Sequence, residues 1–98
     1  MSDLITFTDQ EIRSKIIQYA PNWSLEDKQL KRTHQCDSFI SAVDLVNATA
    51  VLAEKLHHHP KMTVDYFTLH FSLFTHDAPG ITQKDFVLAQ EIDTLLKK

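Results

Sequence analysis

The sequence predicts an α+β fold of two layers, in which three helices cover one face of a four-stranded antiparallel sheet in the order α-β-β-α-β-β-α. Two observations lead to this fold. Three segments repeat their apolar residues at helical spacing, and two pairs of short segments alternate apolar and polar residues across brief polar connections. Brief connections imply hairpins and therefore antiparallel pairing, and a sheet with one apolar face needs helices to cover it.

The composition fits one ordinary domain spanning residues 1–98. Of the 98 residues, 43% are hydrophobic and 23% are charged, and the formal net charge is −3. Because basic residues are few and scattered, we exclude a general nucleic-acid-binding protein. The single cysteine, Cys36, cannot form an internal disulfide, and no apolar run resembles a signal peptide or a membrane span. A cytoplasmic location and no membrane association are expected.

The first elements are a helix and a hairpin. Thr8 is followed three residues later by Glu11, a capping box that opens a helix over about Asp9–Ala20. The segment Trp23–Cys36 alternates on both sides of a polar connection, which predicts a β-hairpin. Trp23 itself has two interpretations, an aromatic side chain of the core or a flat wall that binds an aromatic ligand.

The longest helix is predicted from about Phe39 to His57, capped by Asp37 or Ser38, and it is apolar on two sides. One stripe, expected to face the sheet, comprises Phe39, Ala42, Val43, Val46, Ala50 and Ala53. The other stripe comprises Leu45, Ala48, Leu52 and Leu56. Because a helix apolar on two sides needs two partners, we expect another subunit to cover the second stripe, and hence a homo-oligomer.

The C-terminal half repeats the pattern of hairpin and helix. A short strand containing Met62, Val64 and Tyr66 precedes a strand over Thr68–His76, whose apolar residues should face the helices. Thr82 and Asp85 then form a second capping box. The buried side of the helix that follows should carry Phe86, Ala89, Ile92 and Leu96.

Histidines mark the candidate site. His57, His58 and His59 follow one another at the end of the longest helix, and His76 ends the last predicted strand. Two histidine clusters at the ends of two elements predict one pocket.

Three interpretations of these histidines compete. They could oppose the helix dipole, or they could bind a metal ion, although adjacent histidines are strained as co-ligands and no Cys-x-x-Cys or His-Glu-x-x-His pattern accompanies them. They could also transfer protons without a metal, because the unperturbed pKa of histidine lies nearest to neutrality. Glu54, one helical turn before His58, is placed to orient that imidazole.

The same residues resemble the pterin-4a-carbinolamine dehydratase family. The family pattern is Glu, three residues, His-His-Pro, five residues, an aromatic residue, nine residues and His. It is met here by Glu54, His58, His59, Pro60, Tyr66 and His76. The similarity extends over nearly the whole chain, including Asn22-Trp23 and the stretch from Thr75 to Asp85.

The resemblance implies the dehydration of 4a-hydroxytetrahydropterin to quinonoid dihydropterin, in the recycling of tetrahydrobiopterin, without a metal or an organic cofactor. It also implies a homodimer or homotetramer. His58 and His76 would share the acid and base roles, with Glu54 assisting His58. The assignments to pterin binding are His59, Trp23 and Thr75.

Two points stay open beside this resemblance. Animal members of the family also act as dimerisation cofactors of a transcription factor, so a protein-interaction module is the alternative function. Asp85 matches a recurrent family position, but a helix cap alone explains it, and we favour the cap.

Overall fold

The computed structural model describes residues 5–78 and 80–97 and confirms the predicted order α-β-β-α-β-β-α. Pro79, in the predicted turn before the last helix, lies outside the described residues. The three helices are α1 (Asp9–Tyr19), α2 (Phe39–Leu56) and α3 (Gln83–Leu96). The four strands are β1 (Ser24–Glu26), β2 (Gln29–Gln35), β3 (Lys61–Asp65) and β4 (Thr68–Leu73).

The sheet has the strand order β1-β2-β4-β3, and every pairing is antiparallel. Each hairpin contributes one central and one edge strand, and the two hairpins join where β2 pairs with β4. Leu69, Phe71 and Leu73 alternate along β4 and are buried, as the period-two pattern predicts. They form the core together with Leu30 of β2 and the inner residues of the helices.

Both predicted capping boxes are present. At the start of α1, the Thr8 hydroxyl accepts from the Glu11 amide while the Glu11 carboxylate accepts from the Thr8 amide. At the start of α3, Thr82 and Asp85 make the same reciprocal pair of contacts, in which the Asp85 carboxylate accepts from the Thr82 amide at 3.0 Å. Each box pairs backbone N–H groups that the first helical turn leaves without partners.

The prediction for the faces of α2 was wrong. The inward face of α2 combines members of both predicted stripes: Ala42, Leu45, Val46, Thr49, Leu52, Ala53 and Leu56 are buried or pack against the core. The large apolar residues left outside are Phe39, Ile40 and Val51, between 59% and 71% exposed. Leu45, Leu52 and Leu56 are therefore covered within the same chain, and a different face of α2 remains apolar.

The second hairpin is shorter than predicted at both ends. Tyr66 lies in the turn with φ 56° and is 81% exposed, so it is not part of β3. The last strand ends at Leu73, and Thr75 forms only an isolated bridge to Gly80, which leaves His76 in the turn between them.

The segment before α1 is anchored to the segment before α3. The Phe7 amide donates to the Ile81 carbonyl at 2.9 Å, just before α3 begins. A Cβ atom at Gly80 would lie 2.9 Å from Cγ2 of Thr6, so a larger residue here would force the Thr6 side chain or the backbone to shift. None of the helices within the described ranges is both long and apolar enough to cross a membrane.

Candidate active site

The end of α2 fixes the histidine segment. His57 adopts the left-handed conformation, with φ 54° and ψ 38°, and its amide donates to the Glu54 carbonyl at 3.3 Å. The His58 amide donates to the Ala53 carbonyl at 3.1 Å, which completes a Schellman motif. The backbone of His58 is therefore held by the helix, and the left-handed turn directs the chain toward the start of β3.

His58 is paired with a buried carboxylate. Its Nε2 lies 2.7 Å from Oδ1 of Asp85, and only 7% of His58 and none of Asp85 is exposed. A carboxylate bonded to one ring nitrogen favours the tautomer with a proton on that nitrogen. Nδ1 is consequently the nitrogen of His58 that can take or give a proton to another molecule.

Asp85 is itself held by the loop that precedes α3. Its Oδ2 accepts from the Thr75 hydroxyl at 2.7 Å and from the Thr82 amide at 3.0 Å. Three donors surround the carboxylate when His58 is included, so both of its oxygens are hydrogen-bonded. The carboxylate therefore has a fixed orientation toward His58.

A cavity of about 330 Å³ adjoins this pair. It is lined by Leu56, His58, Gln83, Lys84 and Val87, so the imidazole meets a partly apolar surface between the end of α2 and the start of α3. A larger cavity of about 480 Å³ lies on the open face of the sheet, among strand residues such as Lys31 and Lys61. We place the site at the smaller cavity because His58 lines it.

Glu54 contacts a different histidine from the one predicted. Its carboxylate lies 2.5 Å from Nε2 of His59, and both side chains are mostly exposed. The spacing of one helical turn suggested His58, but α2 ends at Leu56 and the left-handed residue His57 redirects the chain. Glu54 therefore orients His59, whereas Asp85 orients His58.

Thr75 bonds to Asp85 and His76 follows it in the chain, and the two side chains differ in environment. Thr75 is buried, and its hydroxyl is bonded to Asp85 and to Thr82. The His76 side chain is exposed and packs on Phe74, with ring centroids 4.5 Å apart. The bonds from His58 through Asp85 to Thr75 thus connect the two predicted histidine segments. Among the described residues that line the cavity beside His58, however, His76 does not appear, and Thr75 has no free hydroxyl for a substrate.

Trp23, predicted to bind substrate, belongs to the core. It is 3% exposed, packs against Phe71 with centroids 6.0 Å apart, and donates its indole N–H to Asp93 at 2.8 Å. Asp93 is also paired with Arg32. The Trp23 ring is therefore buried and its polar edge is bonded, which agrees with the core interpretation.

Sequence reasoning missed the role of Asp85 because the capping box was sufficient to explain it. One oxygen serves the cap and the other reaches His58, so the residue performs both tasks. The available signal was the match to a recurrent family position.

Other polar groups add little to the site. Burial, with a smaller contribution from the carboxylate of Asp37, raises the pKa of the Cys36 thiol above its ordinary value. This thiol is therefore a poor nucleophile near neutral pH. Across residues 5–78 and 80–97, no three His, Cys, Asp or Glu side chains form a group that could hold a metal ion.

Comparison with known proteins gives a consistent result. The family model described as pterin 4 alpha carbinolamine dehydratase matches residues 5–95. A protein of Picosynechococcus sp. is 42% identical over 88 residues, covering 90% of this chain and 95% of that protein. A protein of Natronomonas pharaonis is 39% identical over 95 residues, covering 97% and 98%. Both carry the name "Putative pterin-4-alpha-carbinolamine dehydratase".

A solved structure is similar in fold over nearly the whole chain. The crystal structure of a transcriptional coactivator/pterin dehydratase from Brucella melitensis superimposes with a TM-score of 0.85 at 25% identity, covering 93% of this chain and 98% of that one. The match of the family model and the identities to these relatives extend through the segments that build the site. The chain belongs to the pterin-4a-carbinolamine dehydratase family.

Proposed function

We propose that this protein dehydrates pterin-4a-carbinolamine to quinonoid dihydropterin, as a hydro-lyase in tetrahydrobiopterin recycling. The observation that carries the proposal is the buried pair of His58 and Asp85 at the edge of the 330 Å³ cavity. A neutral imidazole whose Nε2 is occupied by a carboxylate presents one defined site of proton transfer. The expected location remains the cytoplasm.

The reaction needs an acid and a base. The C4a–O bond breaks as the lone pair of N5 forms the new double bond, the leaving hydroxyl takes up a proton and departs as water, and the ring loses a proton. We assign these transfers to His58 and His76, of which His58 acts through Nδ1. His59, oriented by Glu54, binds the pterin. Asp85 keeps His58 in one tautomer and stabilises its protonated form.

The test is the decay of carbinolamine generated in situ by a hydroxylase, followed with and without the protein. We expect wild type to accelerate the decay and the double variant His58→Ala, His76→Ala to abolish the acceleration. No acceleration by wild type would refute the activity. A double variant with full activity would refute the site.

We further propose that the reaction needs neither a metal nor an organic cofactor. Activity should survive prolonged dialysis against a chelator, since proton transfer by histidine and charge stabilisation by Asp85 supply the chemistry. One equivalent of zinc in the purified protein, together with loss of activity in chelator, would contradict this proposal.

A homo-oligomer is proposed as the assembly, with the outer face of α2 as the contact surface. An isologous contact would bury the apolar area of that face on both copies, including Phe39, Ile40 and Val51.

The interaction module is not favoured as the main function, because a purely docking protein has no use for a histidine–carboxylate pair beside a cavity.

A further inference from the structure

Two buried threonines connect the loop before α3 to the carboxylate of Asp85. Thr75 and Thr82 are 2% and 1% exposed, and their hydroxyl oxygens lie 2.7 Å apart. The Thr75 hydroxyl is also 2.7 Å from Oδ2 of Asp85. These contacts place two hydroxyl groups in series behind the carboxylate that holds His58.

The direction of each hydrogen bond in this series follows from the number of available protons. An ionised carboxylate only accepts, so the Thr75 hydroxyl donates its single proton to Asp85. Thr82 must then donate to Thr75, while its oxygen accepts from the Lys84 amide at 3.3 Å. Every proton in the series points toward Asp85, whose other oxygen accepts from Nε2 of His58.

We propose that Thr75 is a positioning residue for His58, acting through Asp85, and that it is not a substrate-binding residue. Its hydroxyl fixes the orientation of the carboxylate, and the oriented carboxylate in turn keeps the proton of neutral His58 on Nε2. The consequence for catalysis rests on the proposed function, whereas the effect on the tautomer of His58 does not.

Thr75 suits a direct test better than Thr82 does. Thr82 also caps α3, so its replacement would disturb the helix as well as the hydrogen-bond series. Thr75→Val removes the hydroxyl and keeps the shape, and Thr75→Ser restores the hydroxyl. Thr49→Val is a matched control, because Thr49 is equally buried but its hydroxyl bonds the Leu45 carbonyl within α2.

The primary measurement is the ¹⁵N chemical shifts of the His58 ring in the labelled protein at a pH where the ring is neutral. Wild type, Thr49→Val and Thr75→Ser should show a pyrrole-type Nε2 and a pyridine-type Nδ1. Thr75→Val should show averaged shifts from a mixture of tautomers. In the dehydration assay, kcat of Thr75→Val should fall about tenfold, the equivalent of one hydrogen bond, with KM nearly unchanged.

The two proposals fail in different ways. Unchanged His58 shifts in Thr75→Val, or no recovery in Thr75→Ser, would overturn the positioning role even in an active enzyme. If Thr75→Val does not fold, Thr75→Ala also removes the hydroxyl and does not place a methyl group among the buried polar atoms. A shift in tautomer in a protein without dehydratase activity would support the positioning role and refute the proposed function alone.

Discussion

Nε2 of His58 lies 2.7 Å from Oδ1 of Asp85, although 27 positions separate the two residues in the chain. The contact joins the end of α2 to the first turn of α3, and both side chains are buried. The proton transfer that we propose depends on that contact, so the effect of breaking it can be stated in advance.

Asp85→Asn should lower kcat about 100-fold, the lower end of the usual contribution from a positioned proton-transfer group. An amide keeps the size of the side chain but cannot balance the positive charge that His58 gains when it takes up a proton, or accept from all three donors. The matched control is Asp93→Asn on the same helix, which removes the carboxylate bonded to Trp23 and Arg32. This control should lose about 1–3 kcal/mol of stability and retain kcat in the folded protein. Equal kcat values for the two variants would contradict the role of Asp85.

Glu54→Gln should act mainly on substrate binding. Glu54 contacts His59, and both side chains are mostly exposed, so the pair contributes less than about 1 kcal/mol to stability. We expect KM to rise about threefold to tenfold with kcat nearly unchanged, since uniform binding is lost without a change in the barrier. A fall in kcat as large as that of Asp85→Asn would instead show that Glu54 takes part in the chemistry.

His57→Gly should stabilise the protein by about 0.5–1 kcal/mol, because glycine adopts the left-handed conformation at the end of α2 without the steric cost that a side chain carries there. Urea denaturation of both proteins measures the difference. Lys55→Gly, within the last turn of the same helix, is the control and should destabilise by about 1 kcal/mol. A loss of stability in His57→Gly would mean that the His57 side chain makes a contact worth more than the backbone strain.

Substitutions on α2 should separate assembly from folding. Val51 is 71% exposed, so Val51→Glu should cost an isolated chain little but should dissociate an oligomer built on the outer face. Leu52 packs against the core of its own chain, so Leu52→Glu should lower stability whatever the assembly. Light scattering and thermal unfolding measure the two effects. A wild-type monomer at micromolar concentration would contradict the proposed oligomer.

Cys36 should react slowly with alkylating reagents near pH 7–8. Because burial raises the pKa of its thiol, the thiolate fraction at a given pH is smaller than that of a free cysteine, and the rate should reach its plateau at higher pH. Following iodoacetamide labelling by mass spectrometry across a pH series measures this profile, with the urea-unfolded protein as reference. Identical profiles in the folded and unfolded protein would contradict the effect of burial.

Local patterns in the sequence predicted the elements well and the inward face of α2 poorly. The boxes at Thr8 and Thr82 involve residues within one helical turn, so the sequence contains all of their partners. On α2, apolar residues occur around most of the helix, and the three-dimensional arrangement of the sheet and α3 decides which of them are covered. Leu52 was assigned outward and Phe39 inward for this reason, and the structure reverses both.

The same distinction explains the site. The pattern from Glu54 to His76 identified the histidines, because their spacing is visible in the chain. The choice of partner was not visible: Asp85 reaches His58 through the tertiary fold, and the left-handed residue His57 turns His59 rather than His58 toward Glu54. The sequence could not decide between the two interpretations of Trp23, because Asp93 and Phe71 contact it only through the tertiary fold.

The Phe7 amide donates a hydrogen bond to the Ile81 carbonyl, which joins the segment before α1 to the segment before α3. During synthesis on a ribosome, the loop that carries Thr75 cannot gain this support until Ile81 has emerged, and Asp85, four residues later, reaches His58 no earlier. Contacts between distant segments also slow folding, because a long loop must be ordered before they form. The nascent chain can therefore form its hairpins and α2 well before it contains an organised site.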